Sequence, residues 1–130
     1  MNMIETRPKP TRERAVLAGM LPSGGNRALF EQDMAEMAML CRTADVDVVD
    51  TVVQKRQAAV SATYLGSGKL QQIRTSMRRH ECRTLIIDAQ LSPGQVRNIE
   101  KAVEAKVVDR SQLILDIFAR HARSREARIQ

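Results

Sequence analysis

Glycine, serine and lysine converge at one place in this chain, the run ATYLGSGK from Ala62 to Lys69, and the chemistry they suggest is phosphate binding. A Mg²⁺-nucleotide loop of the form G-x-x-x-x-G-K-[ST] cradles phosphates with backbone N–H groups. Its lysine reaches the terminal phosphates and its hydroxyl holds the metal. Gly68 and Lys69 fit that pattern. Thr63 stands where the opening glycine belongs and Leu70 where the hydroxyl belongs, so the tract argues against NTP hydrolysis. A small nucleotide-binding α/β protein using GSGK is the alternative it leaves open.

Other reactive residue types are sparse. Asp88 and Asp109 close the apolar runs IID and VVD, at the strand ends where parallel sheets bind ligands. Two carboxylates there could hold Mg²⁺ through water, but the commoner use is to bond backbone N–H groups and cap the next helix. Cys41 and Cys82 have no C-x-x-C spacing, and the run His80-Glu81-Cys82 supplies too few ligands for zinc. The expectation is two reduced thiols and no metal site. No spacing pairs a serine or cysteine with a histidine base, so a catalytic reading has little support. Phe30, Phe118 and Tyr64 are the only aromatic residues, too few for a base-stacking platform. Phe30 and Phe118 fit core faces. Tyr64, beside Gly66, Ser67, Gly68 and Lys69, could stack on a base or cover the end of a sheet.

Positioning these residues requires a regular frame, and the hydrophobic periodicity supplies one. Arg14 to Gly19 and Val46 to Gln54 read as strands, as do TLIID (84–88) and KVVD (106–109). Between them, Phe30, Met34, Met37, Ala38, Cys41 and Ala44 recur at helical spacing, and so do Leu70, Ile73 and Met77. A third helix carries Val96, Ile99 and Val103. It opens with Ser92, Pro93 and Gln95, a capping box. A last helix starts near Ser111 with Leu113, Ile114, Ile117 and Phe118. The order βαβαβαβα predicts an α/β fold, a four-stranded, mostly parallel sheet with helices on both faces. We divide the chain into a flexible arm (1–12), an α/β subdomain (13–110) and the start of a long helix (111–130). That helix reaches Gln130 without a stop signal and is expected to continue in a longer parent.

Charge narrows the partners. The formal net charge is +6, and it is uneven. Acids dominate from Glu31 to Asp50, whereas Lys55, Arg56, Lys69, Arg74, Arg78, Arg79 and Arg83 face only Glu81 in the following segment. This asymmetry suits either a polyanion such as RNA, bound through counterion release, or simply a solubilising surface, and charge alone favours neither. Arg120, Arg123, Arg125 and Arg128 form a second strip on the last helix. No apolar run is long enough to span a bilayer, so a cytoplasmic protein is expected.

The runs ATYLGSGKL, IIDAQLSPGQVRNIEK (86–101) and DRSQLILDIFARHARSREARIQ (109–130), in that order, resemble the N-terminal domain of the HflX family of translational GTPases. The resemblance extends from about Arg14 to the last residue. It implies binding to the large ribosomal subunit and its RNA, a role in ribosome splitting or rescue under stress, and a GTPase domain as the partner within the parent protein. It also implies that GTP and Mg²⁺ belong to that further domain, so this chain needs no cofactor and is not an enzyme by itself. Candidate RNA contacts are Lys55, Arg56, Tyr64, Gly66, Ser67, Gly68, Lys69, Arg74, Arg78, Arg79, Arg120, Arg123, Arg125 and Arg128. Self-association through the last helix and docking on a protein partner are the remaining partner expectations.

Overall fold

The computed structural model describes residues 12–56 and 58–129, except the side chains of Arg56, Ser124 and residues 126–129. The expected arm therefore lies outside it, apart from Arg12. Eight elements alternate: β1 (Glu13–Pro22), α1 (Arg27–Thr43), β2 (Val46–Arg56), α2 (Ser67–Arg79), β3 (Thr84–Ile87), α3 (Pro93–Val103), β4 (Lys106–Val108) and α4 (Arg110–Ile129). The four strands lie in the order β2-β1-β3-β4, and every pairing is parallel.

The order reverses at β1, which has β2 on one side and β3 on the other. Right-handed crossovers then require α1 to lie on one face and α2 and α3 on the opposite face. Two cores confirm this. Met34, Met37 and Cys41 of α1 join Ala15, Leu17, Ile86, Val108 and Leu113 of α4. On the other face Leu70, Ile73 and Met77 of α2 join Ile99 and Val103 of α3 over Val16, Ala18, Leu85 and Ile87. The central strands are buried on both sides, as continuous apolar runs require.

The edge strand β2 is less completely covered than helices on both faces would suggest. Asp47, Thr51 and Val53 are exposed. The β1–β2 register also slips between Ala15 and Val16, so that Val49 is inserted. With strict period two, residues 46, 48, 50 and 52 would share one face. The bulge changes that: Val46 and Val48 join the α1 core, whereas Val52 joins the α2 core and Asp50 reaches Ser76 of α2.

Local signals set the helix ends. Asn26 caps α1 by accepting the Leu29 N–H at 3.1 Å, so α1 begins at Arg27, a turn before the apolar stripe that opens with Phe30. Ser92 and Gln95 form the predicted capping box on α3, with bonds of 3.1 and 2.9 Å. Asp109 caps α4 through the Gln112 N–H at 2.9 Å, and its other oxygen accepts the Leu91 N–H at 3.1 Å. Gly19 lets the Met34 side chain of α1 lie directly on β1: a Cβ there would be 2.5 Å from Met34 Sδ, and the methionine would have to turn aside.

One core assignment is corrected. Phe118 is 67 % exposed, on the outer side of α4, whereas Leu113 is buried and Ile117 partly so. The helix extends beyond the sheet's supply of apolar partners. Its periodicity offers two apolar stripes, and the sheet takes the one through Leu113 and Ile117.

Candidate nucleic-acid interface

The ATYLGSGK tract folds as a short anchored loop leading into α2. Val60 and Tyr64 pair through reciprocal backbone bonds of 3.0 and 2.7 Å. Two side chains of α3 hold the loop: Gln95 Nε2 donates to the Ser61 carbonyl at 3.2 Å and Asn98 Nδ2 to the Ala62 carbonyl at 3.0 Å. The Thr63 hydroxyl donates to the Leu65 carbonyl at 2.8 Å, and Leu70 is buried in the core. The tract does not fit a Mg²⁺-nucleotide loop, since one expected glycine is a committed threonine and the metal-binding hydroxyl is a core leucine.

Tyr64 has φ of 63°, an uncommon left-handed conformation, and packs partly buried against the α2–α3 core. Burial raises its phenol pKa, the nearby Asp88 carboxylate adds to the rise and Arg110 opposes it. One side of the ring thus covers the core, close to Asp88 and Arg110.

Gly66 is buried, with its N–H donated to Gln54 Oε1 at 2.9 Å, and serves as N-cap of α2. Ser67 and Gly68 are therefore not loop residues. They form the exposed first turn of α2, with open space around Gly68. Lys69 bonds Gln72 on the same helix at 3.0 Å. Arg78 and Arg79 are exposed, and Arg74 and Arg78 both reach Glu104, at 2.8 and 3.4 Å. The helix carries Lys69, Arg74, Arg78 and Arg79 and no acidic residue. Its apolar stripe leaves Arg78 and Arg79 exposed and Lys69 and Arg74 partly so, and α2 presents a basic surface with Glu104 at its edge.

The other candidates lie elsewhere. Lys55 lines a recess with Arg27, Phe30 and Glu31 on the α1 side of the sheet, away from α2. Arg120, Arg123 and Arg125 are exposed on α4, in the α1 layer. The side chains of Arg56 and Arg128 lie outside the described residues. The cationic candidates thus form at least two separate surfaces.

Asp88 and Asp109 both have structural partners. The Asp88 carboxylate, 6 % exposed, pairs through Oδ1 with Nε and Nη2 of Arg110. That hydrogen bond is the main reason why the Arg110 pKa lies above its ordinary value. Asp109 spends both oxygens on backbone N–H groups. Among the described residues no cluster of three or more His, Cys, Asp or Glu residues could hold a metal.

One constellation forms only in the fold, around Ser76. The Ser76 hydroxyl donates to Asp50 at 2.5 Å, and His80 Nδ1 lies 2.9 Å from the Ser76 carbonyl and 3.4 Å from its hydroxyl. A carbonyl only accepts, so Nδ1 carries the proton and cannot act as base for the serine. The serine is also buried, and the cluster fastens α2 to the edge strand. Only the i, i+4 spacing of Ser76 and His80 hinted at it; the bond to Asp50 depends on the bulge in β2.

Residues 31–119 match the family described as GTP-binding GTPase N-terminal. A GTPase HflX of Lacrimispora saccharolytica is 38 % identical over 122 residues, covering 94 % of this chain and 28 % of the relative. The GTPase HflX of Escherichia coli K12 is 34 % identical over 99 residues, covering 76 % and 23 %. Among solved structures, the SsGBP and GDP complex aligns with a TM-score of 0.61 at 29 % identity, covering 84 % of this chain and 29 % of that one. A GTP-binding protein from Sulfolobus solfataricus, in complex with GDP, gives a TM-score of 0.58 at 28 % identity, covering 82 % and 30 %. The chain thus spans between a fifth and a third of the length of these relatives.

Proposed function

The chain belongs to the HflX family of GTPases, whose N-terminal domain it matches, and from that membership we propose that it is a ribosome- and RNA-engaging domain of a larger GTPase. The observation that carries this reading is α2, a helix with four cations and no acid of its own. Across the sheet lies α1, with Glu31, Asp33 and Glu36. A molecule polarised in this way meets a polyanion with α2 first, and the affinity comes from phosphate neutralisation and release of counterions.

In the parent protein the GTPase domain supplies GTP and Mg²⁺ chemistry, and this domain contributes contact with the large subunit during ribosome splitting or rescue under stress. On this reading the polypeptide alone does not hydrolyse GTP and works in the cytoplasm. Among the described residues no helix is long and apolar enough to cross a membrane.

The test is sedimentation with large ribosomal subunits at several salt concentrations. Neutralising Lys69, Arg78 and Arg79 together to alanine should weaken binding and flatten its salt dependence, by roughly 0.9 in the log–log slope per lost phosphate contact. Unchanged sedimentation of that variant would overturn the basic-helix reading.

A second reading rests on α4, where Leu115 and Phe118 are 59 % and 67 % exposed one turn apart. Such a pair suits a protein partner: the GTPase domain of the parent or a second copy of this chain. Light scattering over a concentration series distinguishes a self-associating chain from a monomer.

A further inference from the structure

We propose that Arg74, Arg78 and Arg83 form an oxyanion site at the amino edge of the sheet, and that the Glu104 carboxylate occupies it in the free protein as an internal competitor for phosphate. The site deepens the proposed function, because it rests on reading α2 as a phosphate-facing helix.

These arginines, with Glu81 and Glu104, line a cavity of about 510 Å³ between the C-terminal ends of α2 and α3, floored by Met77, Cys82 and Val103. Arg74 and Arg78 both bond the same carboxylate oxygen, Oε2 of Glu104. Arginine binds an oxyanion best side-on, with Nε and one Nη donating in parallel. Arg74 uses only Nη2, and its Nε is the one buried side-chain N or O atom without a hydrogen-bond partner among the described residues. A buried donor in that state calls for an explanation. Glu104 therefore meets the charge of the arginines but not the geometry of their donors. A phosphate, with more acceptor oxygens than a carboxylate, can engage Arg74 and Arg78 together once the Arg74 guanidinium turns to bring its enclosed Nε toward the cavity.

Glu104 is also suited to leaving. Its side chain is 62 % exposed, and its longer pair, with Arg78, is exposed on both sides and weak, so that chiefly the shorter pair with the 35 % exposed Arg74 holds it. Its backbone is left-handed, with φ of 54°, at the C-cap of α3, a turn usually given to glycine. A glutamate at this turn accepts an unfavourable backbone conformation and places a carboxylate between two arginines. Once that carboxylate swings out, three arginines face only Glu81 in the cavity. The oxyanion that replaces it is either free inorganic phosphate or a backbone phosphate of RNA.

The experiment follows the arginine Nε–H resonances by ¹⁵N NMR, titrating inorganic phosphate and separately a short RNA duplex. It uses the wild type, Glu104→Gln, Arg74→Ala and, as a charge control on the opposite face, Glu36→Gln. Phosphate should shift the Arg74 Nε–H signal saturably. Glu104→Gln should tighten phosphate roughly fivefold, the fold-change that an exposed ion pair is worth, and Glu36→Gln less than about twofold. Arg74→Ala should abolish the phosphate response. Equal phosphate affinity in the wild type and Glu104→Gln, or no movement of the Arg74 signal in either, overturns the site. RNA that binds all four proteins alike while phosphate shifts nothing overturns the site and leaves the reading of α2 standing. Phosphate binding in the expected pattern without RNA binding supports a free-anion site and removes the RNA function.

Discussion

Arg110, the first residue of α4, reaches across the carboxyl edge of the sheet and places Nε and Nη2 on Oδ1 of Asp88, at the end of β3. The carboxylate is nearly buried and the guanidinium 43 % exposed, so the pair ties the last helix to the central strand pair. Asp88 bonds its own N–H to Ala18 of β1. The side chains and backbone at this point thus hold β1, β3 and α4 together.

Replacing Asp88 by alanine should therefore destabilise the domain. The pair lies between the exposed and buried cases, so a loss of about 2 kcal/mol is expected. Urea unfolding followed by circular dichroism measures it, and a change below about 0.5 kcal/mol would show that the pair is not holding α4.

Asp109→Ala removes the cap of α4 and leaves the buried-side Leu91 N–H without its acceptor. The combined cost should be about 1–3 kcal/mol. Asp109→Asn keeps one carbonyl acceptor and should recover part of that loss. Identical midpoints for the two variants would contradict the two-bond account.

The two apolar stripes of α4 should respond differently to truncation. Leu113 is 2 % exposed, so Leu113→Ala should cost about 2–4 kcal/mol. Phe118→Ala, at an exposed position, should stay within about 0.5 kcal/mol. Similar losses at both sites would mean that Phe118 is covered in solution, and light scattering would then identify a second copy as the cover.

Cys41 gives a pH dependence. Burial raises its thiol pKa from 9.0 to about 11. The unfolded chain thus loses the thiol proton first, near pH 9, while the folded chain keeps it. Stability should be unaffected below pH 9 and should fall between pH 9 and 11. Cys41→Ala should flatten that part of the curve, and alkylation of Cys41 at neutral pH should require unfolding.

Much of the frame was legible because its signals are local. The apolar spacing of Leu70, Ile73 and Met77 is a property of one helix, and the Ser92–Gln95 capping box of one turn. Phe118 was misread for the same reason. A helical stripe tells which residues share a side, but with two stripes available only the packing of α4 on Ile86 and Val108 selects between them. The candidate bases were legible as residues and not as a surface. Lys55 and Lys69 are close in sequence, yet the sheet separates them.

The sequence by itself determined the eight alternating elements, the burial of the central strands, the uneven charge and the family resemblance, since each depends on residue type and short spacing. The tertiary structure decided the strand order β2-β1-β3-β4 and the bulge at Val49, and with them which helices share a face. Those choices depend on pairing between distant segments, which short-range periodicity does not encode. They brought Glu104 to Arg74 and Arg78, thirty and twenty-six residues away in sequence. They also turned a basic segment into the outward surface of one helix.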